Sequence, residues 1–554
     1  MRFPLSLIIL ALCCLPCSGF EIVEFCPDPY LPDDTDEYLV ISGSGSLDRV
    51  TVSDGEGGFR FPKNTVMNGS LTIARQAVAY YKSHGSFPDF EWFNTSPEVP
   101  DVISGDKIRM ANSQDELMLY ENGVLIQQIS WPADVKTREG QIHYFRDGIW
   151  DRRPLFLGQS DFIPVTFSDV TVTAFVSPDC AMEVFNSALD SAHSSIHLNV
   201  YEFSSTAISS NLIRARERGT DVLVLVEGGP VGGISPEEKT VLWNLNQSGI
   251  PVYRMGGTTS EKIPYRFDHA KYVVIDGKSV LLTSENFKKS GIPEAGYKGN
   301  RGWGVYLEDP RVAGYFDTVF NYDIGMKTSV PAYGTDGPGE SESTIRYDPE
   351  FQALEFSGAT VTPVISPDTS YLIADLISGA EASIEIEQAY ITNESPVVLN
   401  PYLSAAIDAS RRGVHVRILL DSYWYNVEDK NDNDEMVATI NRIARTEHLP
   451  LEAKCAALDQ NNLEKIHNKG VIVDNKSVLV SSINWNSNSP NFNREAGVII
   501  QHNGVAGYFR SVFEDDWNSQ VKVQEHEPDL FRYACLIIVI ISLLILFGTR
   551  RCRR

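Results

Sequence analysis

His269-Ala270-Lys271-Tyr272-Val273-Val274-Ile275-Asp276 and His467-Asn468-Lys469-Gly470-Val471-Ile472-Val473-Asp474 repeat one pattern, His-x-Lys-x4-Asp, within a chain of 554 residues. Residues two apart on a strand share a face, so each stretch aims an imidazole and an ammonium at one spot. Asp276-Gly277 and Asp474-Asn475 form turns readily, so the chain returns as a second strand. On that strand Ser284 and Asn286, or Ser482 and Asn484, again share a face. Each hairpin therefore offers a nucleophile or acid, a fixed cation and two neutral donors. That set suits a phosphate. Ammonium and amide donors match charge developing on its oxygens, and imidazole attacks phosphorus or carries a proton near neutral pH.

Outward from these stretches the whole chain repeats. Ser177-Pro178-Asp179 returns as Ser366-Pro367-Asp368, and Val312-Ala313-Gly314-Tyr315-Phe316 as Val505-Ala506-Gly507-Tyr508-Phe509. Arg218-Gly219, a strand at Val222–Val226 and Glu227 return as Arg412-Gly413, Val416–Leu420 and Asp421. Ile250-Pro251-Val252 returns as Leu449-Pro450-Leu451. The anchors keep their order at offsets of about 190 to 200 residues, which marks a duplicated unit. Within each unit β-branched runs alternate with the helical stretches Ile208–Arg218, Glu237–Gln247, Leu403–Arg412 and Asp434–Arg445, an α/β layered pattern. Met326–Pro349, rich in Gly, Ser and acids, reads as the connection.

Ahead of the repeat the pattern changes. Short strand-like runs at Tyr38–Ile41, Val50–Val52, Phe59–Phe61, Leu117–Tyr120 and Val124–Ile129 are broken by Gly, Asp and Asn, with a hairpin turn at Glu121-Asn122-Gly123. This predicts a small β-sandwich.

At both ends the sequence points to a membrane. Met1–Gly19 has the charge, apolar run and small residues of a secretory signal. Tyr533–Thr549 has no charge and lies between Arg532 and Arg550, so a single transmembrane helix is expected, with the arginines of 550–554 cytoplasmic and the bulk outside. Three of the eight cysteines, Cys26, Cys180 and Cys455, lie outside these segments, enough for one bridge and without a zinc spacing. The net charge of −26 excludes a protein that coats nucleic acid by bulk attraction. A small basic pocket must be built locally.

The paired motifs, covering about 350 residues, resemble the phospholipase D superfamily. Val200-Tyr201-Glu202-Phe203-Ser204 and Asn493-Arg494-Glu495-Ala496-Gly497-Val498 resemble its nuclease-like branch. Asp36-Glu37-Tyr38-Leu39-Val40-Ile41, Val52-Ser53-Asp54-Gly55-Glu56-Gly57 with Phe59-Arg60-Phe61-Pro62, and Asn112-Ser113-Gln114-Asp115-Glu116-Leu117 resemble the lamin-tail domain, an immunoglobulin-like fold whose role would be binding or positioning. The resemblances imply an α/β protein with duplicated phospholipase D-type α-β-α sandwich domains forming a pseudo-dimer. A small immunoglobulin-like β-sandwich precedes them and one transmembrane helix follows. The expected boundaries are 1–19 signal, 20–135 sandwich, 160–326 and 356–522 repeats, 533–549 helix and 550–554 tail.

The resemblance also implies a metal-independent, two-step mechanism without cofactor, in which His269 attacks phosphorus and His467 serves as acid and base. Its catalytic set is His269, Lys271, Asp276, His467, Lys469, Asp474 and Glu495, with Ser284, Asn286, Ser482 and Asn484 on the phosphate. An acid at Glu495 would orient the histidine of its own motif. The first unit has Gly302 at that position, so either another acid, such as Glu202, supports His269 or the two half-sites are unequal. Tyr201 and Tyr390 are candidates for the rim or for the core. The leading expectation is a membrane-held phosphodiesterase with a phospholipid substrate. Hydrolysis of single-stranded nucleic acid and a non-catalytic surface-binding protein are the alternatives. No obligate protein partner is evident.

Overall fold

The computed structural model describes residues 19–519 except 137, 147–148, 152, 256–263, 331–343, 396–397 and 429–431. The expected signal and the expected membrane helix at 533–549 lie outside them. Among the described residues no helix is long and apolar enough to cross a membrane.

The repeat folds as expected. Helices form at Thr206–Glu217, Pro236–Gln247, Pro401–Arg411 and Asn433–Glu447. Three of these begin on caps the sequence supplies: Ser205, Ser235 and Asn400 each accept first-turn N–H groups, with proline opening the helices after Ser235 and Asn400. Among the described residues fifteen strands form one sheet, in which Phe167–Ser177 of the first unit pairs antiparallel with Leu354–Ser366 of the second. The two motif strands, Lys271–Ile275 and Lys469–Val473, are buried throughout, which is why they read as unbroken Val and Ile rather than as an alternation.

The continuous sheet turns its halves toward each other. One core mixes both units, with Val280, Val305 and Phe316 beside Val478, Val498 and Phe509, and holds the helices Pro310–Ile324 and Asn503–Asn518 that carry the repeated Val-Ala-Gly-Tyr-Phe. Two outer cores put the remaining helices on the opposite faces. The layers run helix, sheet, helix, sheet, helix. The duplicated α-β-α arrangement is thus fused around a shared middle layer.

The N-terminal part is a two-sheet sandwich. Phe20–Cys26, Tyr38–Ser46, Val66–Gln76 and Phe90–Phe93 lie in one sheet; Val50–Ser53, Gly58–Arg60, Ser113–Glu121 and Val124–Lys136 lie in the other. Ile22, Leu39, Val52, Phe59, Trp92 and Leu117 fill the space between them. The Glu121-Asn122-Gly123 hairpin turns as expected, with Asn122 at φ 53° and Gly123 at φ 76°. The first sheet also takes in Gln141–Arg146, Ile149–Trp150 and Leu155–Phe156, so the module reaches past the expected boundary at 135. Cys26, Cys180 and Cys455 are free thiols, so the one bridge the sequence allowed does not form.

Candidate active site

Both histidines sit just ahead of their strands, and each is held by the other repeat. His269 N donates to the Arg494 carbonyl at 2.8 Å, and His467 N to the Arg301 carbonyl at 2.9 Å. The residue before each histidine is fixed by the acid that ends a repeated strand. Glu227 accepts Asp268 N at 2.6 Å, and Asp421 accepts Ile466 N at 2.7 Å. These bonds explain why Glu227 and Asp421 recur after their apolar runs.

The side chains cross over as well. Glu495 Oε2 lies 2.8 Å from His269 Nδ1, not on the histidine of its own unit. Ser482, at 2.6 Å, Asn493 and Ser489 all donate to the Glu495 carboxylate. His467 Nδ1 faces Glu285 of the first unit at 3.2 Å, without the alignment of a hydrogen bond. Glu202 is not the missing acid. It accepts Asn286 Nδ2 at 2.7 Å and pairs with Lys288 at 3.3 Å. Sequence reasoning missed Glu285 because its counterpart in the second repeat is Ile483, so no repeat signal marks it.

Lys271 and Lys469 are fully buried, and each ammonium donates to the carbonyl of its own motif histidine. The histidine rings stay 11% and 15% exposed, so an edge of each remains open to a ligand. Tyr201 packs edge-on to His269 with centroids 4.6 Å apart, and Tyr390 accepts Asn486 Nδ2 at 2.8 Å. Asn286 and Asn484 each retain a side-chain oxygen with no hydrogen-bond partner.

Four expected site residues have other partners here. Ser284 and Ser482 are fully buried; Ser284 accepts Trp303 N at 3.2 Å and Ser482 donates to Glu495, so their hydroxyls brace the strands and the acid. Asp276 and Asp474 stand at the far ends of their strands, in left-handed turns at φ 53° and 54°. Asp276 accepts the N–H groups of His193, Ser194 and Ser195, and Asp474 those of Glu381, Ala382 and Ser383. They tie the motif strand to its neighbour, where catalysis was expected of them. Burial would raise the Asp276 carboxyl, but these donors outweigh it and hold it at about 2. Its contribution to stability is therefore present above the unfolded value of about 3.9 and is lost as pH falls toward 2. Asp276→Asn, which keeps the turn, is expected to cost about 1 kcal/mol in urea unfolding at pH 7 while turnover per folded molecule holds. Lost turnover with unchanged stability would move Asp276 into the chemistry.

Charge in the cleft is unequal. Burial lowers the His269 pKa, opposed by Glu495; burial, Lys469 and Lys465 hold His467 well below its usual value. Burial also lowers Lys271 to about 8 and holds Lys469 well below its usual value, with Glu285 opposing the latter. Burial raises Glu285 to about 7, whereas His269 and Lys271 overcome burial to keep Glu495 below the usual carboxylate value. Two imidazoles and two ammoniums thus share a dry site that an anion would relieve.

Sequence reasoning also passed over two arginines beneath the cleft. Arg301, in the first unit, pairs with Asp179 at 2.6 Å and with Asp516 of the second unit at 2.8 Å. Arg494 pairs with Asp368 at 3.1 Å and with Asp323 of the first unit at 2.9 Å. Asp179 and Asp368 are the acids of the repeated Ser-Pro-Asp, and Asp323 and Asp516 each stand about two helical turns past the repeated Val-Ala-Gly-Tyr-Phe, on the face of its Phe. The repeat anchors therefore build two buried clamps that join the halves.

The sequence profile of the family described as cardiolipin synthase, PLD-like domain, matches residues 185–324 and 373–517. The chain belongs to the phospholipase D-like family. Among solved structures, the family member Nuc of Salmonella typhimurium is 23% identical over 30% of this chain and 99% of its own, with a TM-score of 0.24. Phosphatidylserine synthase of Haemophilus influenzae is 13% identical over 68% of this chain and 94% of its own, with a TM-score of 0.47. NucT of Helicobacter pylori is 18% identical over 29% of this chain and 97% of its own, with a TM-score of 0.25. No curated protein matches the chain. As a phospholipase D-like protein it carries two half-sites on one chain, each completed by an acid from the other.

Proposed function

We propose that the chain hydrolyses phosphodiesters at the His269/His467 pair through a phosphohistidine, with a phospholipid as substrate. The observation that carries this is the His269–Glu495 bond. With Nδ1–H donated to a buried carboxylate, the Nε2 lone pair is left bare toward the cleft. Nε2 forms the bond to phosphorus as the ester P–O bond breaks, and His467, protonated once the phosphodiester anion offsets the cations around it, gives that proton to the departing alcohol. The imidazole carries positive charge in the intermediate, and Glu495 balances it. Lys271 and Lys469 meet the phosphoryl oxygens. His467 then takes a proton from water as the water oxygen attacks phosphorus, the P–N bond breaks and His269 is regenerated. No step calls on a metal.

The expected span at 533–549 supports a membrane-held enzyme facing outward, and the lamin-tail-like module supports a positioning role. A second reading, single-stranded nucleic acid, has one observation in its favour. Trp424 and Tyr425 are 57% and 44% exposed beside Lys465, whose ammonium lies 3.0 Å from the Tyr425 hydroxyl. Exposed aromatics next to a cation stack bases well.

Trapping in neutral denaturing detergent, which spares the acid-labile P–N bond, with a radiolabelled phosphatidyl donor tests the chemistry. Wild type and His467→Ala should yield phosphohistidine and His269→Ala none, with turnover unchanged by chelator. Label in His269→Ala, or activity abolished by chelator, would overturn the mechanism. Release of headgroup from phosphatidylglycerol, against shortening of single-stranded DNA, separates the two substrates.

A further inference from the structure

A cavity of about 1420 Å³ opens where the N-terminal module meets the second repeat. Phe145 and Ile149 of the module, Phe162 and Ile163 of the following segment, and Tyr371 and Pro490 of the repeat give it apolar walls. Ile149 and Ile163 are 69% and 67% exposed, unusual for isoleucine unless something covers it. The fold of the repeat alone produces a smaller space. At the corresponding place in the first repeat, Met182 stands for Tyr371 and Ile292 for Pro490, and the two adjoining pockets there hold about 10 and 550 Å³.

One end of the groove is tied to the active site by hydrogen bonds. Asn486 lines it and donates to Tyr390. The Asn486 side-chain Oδ1 accepts Ser489 N at 2.7 Å, and Ser489 Oγ holds Glu495. Charge on the walls decides the class of occupant. Asp151, Asp161, Asp368 and Glu394 lie along the groove; among the described residues that line it Arg153 is the cation, 2.5 Å from Asp151 and 3.6 Å from Asp161, while Arg494 pairs with Asp368 from behind at 3.1 Å. Such walls repel a strand of phosphates and accept an uncharged chain.

We propose that this groove takes an acyl chain of a phospholipid whose phosphate lies at the histidine pair. The proposal rests on the phosphodiesterase reading and gives the N-terminal module a function, as one wall of the substrate site. Full-length protein in mixed micelles would be offered dioleoyl phosphatidylglycerol, dihexanoyl phosphatidylglycerol and bis(4-nitrophenyl) phosphate. Ile163→Asp places a charge at an exposed wall position, and Ala374→Trp fills the groove from the repeat side. Each should lower the ratio of long-chain to short-chain kcat/KM by roughly tenfold or more. An unchanged ratio in both variants overturns the proposal. So does a wild type that cleaves the small diester but neither lipid, or variants that instead lose cleavage of single-stranded DNA. If wild type cleaves none of these diesters, the phosphodiesterase reading itself fails.

Discussion

Glu495→Gln is expected to cost about a thousandfold or more in kcat, as loss of the charge that orients a catalytic imidazole does elsewhere. Glu285→Gln is expected to cost less than about tenfold at pH 6. The two acids hold equivalent stations, but their surroundings differ. Glu495 accepts hydrogen bonds from three side chains besides facing His269, and it stays ionised. Glu285 has one such side-chain donor, Asn300 at 2.9 Å, and burial holds its pKa at about 7. Below pH 7 Glu285 is largely protonated, so an amide imitates it. Above pH 7 it ionises and strengthens His467 as a base. A kcat–pH profile should therefore lose an inflection near 7 in Glu285→Gln and keep it in Glu495→Gln. Equal losses at pH 6, or an unchanged profile, would show that the half-sites are chemically interchangeable.

How much of this was legible in the sequence depended on whether the repeat carried it. Where both copies spend the same residue, the sequence marks a shared structural station: His269 and His467 ahead of their strands, Lys271 and Lys469 within them, and the strands ending in Glu227 and Asp421. The exchange of acids was hidden because the copies solve one problem with different positions. Gly302 lacks a side chain, and a Cβ there would stand 2.3 Å from Glu285 Oε1. Glu285 thus fills the space that a glutamate at 302 would need. The second unit has the reverse pair, Ile483 and Glu495. Since Glu495 lies 226 residues from His269, no local pattern could show which histidine it serves. The aspartates misled for a related reason. They recur with the histidines because the hairpin needs them, and spacing alone does not separate a hairpin's fastening from its chemistry. The strands at 141–156 escaped notice because they are short and partly polar, and only their neighbours in the sheet make them strands.

Arg494→Met should be the most destabilising single change in the catalytic body, at about 3–5 kcal/mol in denaturant unfolding, because it strands acids that burial already disfavours. Asp323 and Asp368 lose their ion pair, and Asp268 loses the guanidinium charge that opposes its burial. Burial raises all three, Asp323 to about 6 even with the guanidinium in place. A raised carboxyl favours the folded state while protonated, and that advantage disappears as pH climbs through the folded value. The deficit of the variant should therefore be largest near pH 8 and shrink toward pH 5, opposite to the acid-side loss set by Asp276. Asp323→Asn with Asp368→Asn in the Arg494→Met background should recover much of the lost stability, since neutral amides need no cation. The clamp spans the two repeats, so turnover should fall with the loss of Arg494 even at pH 5, where the fold survives: the Arg494 carbonyl that seats His269 is held by the same residue. Full turnover at pH 5 in Arg494→Met would show that the clamp secures the fold without setting the distance between the half-sites.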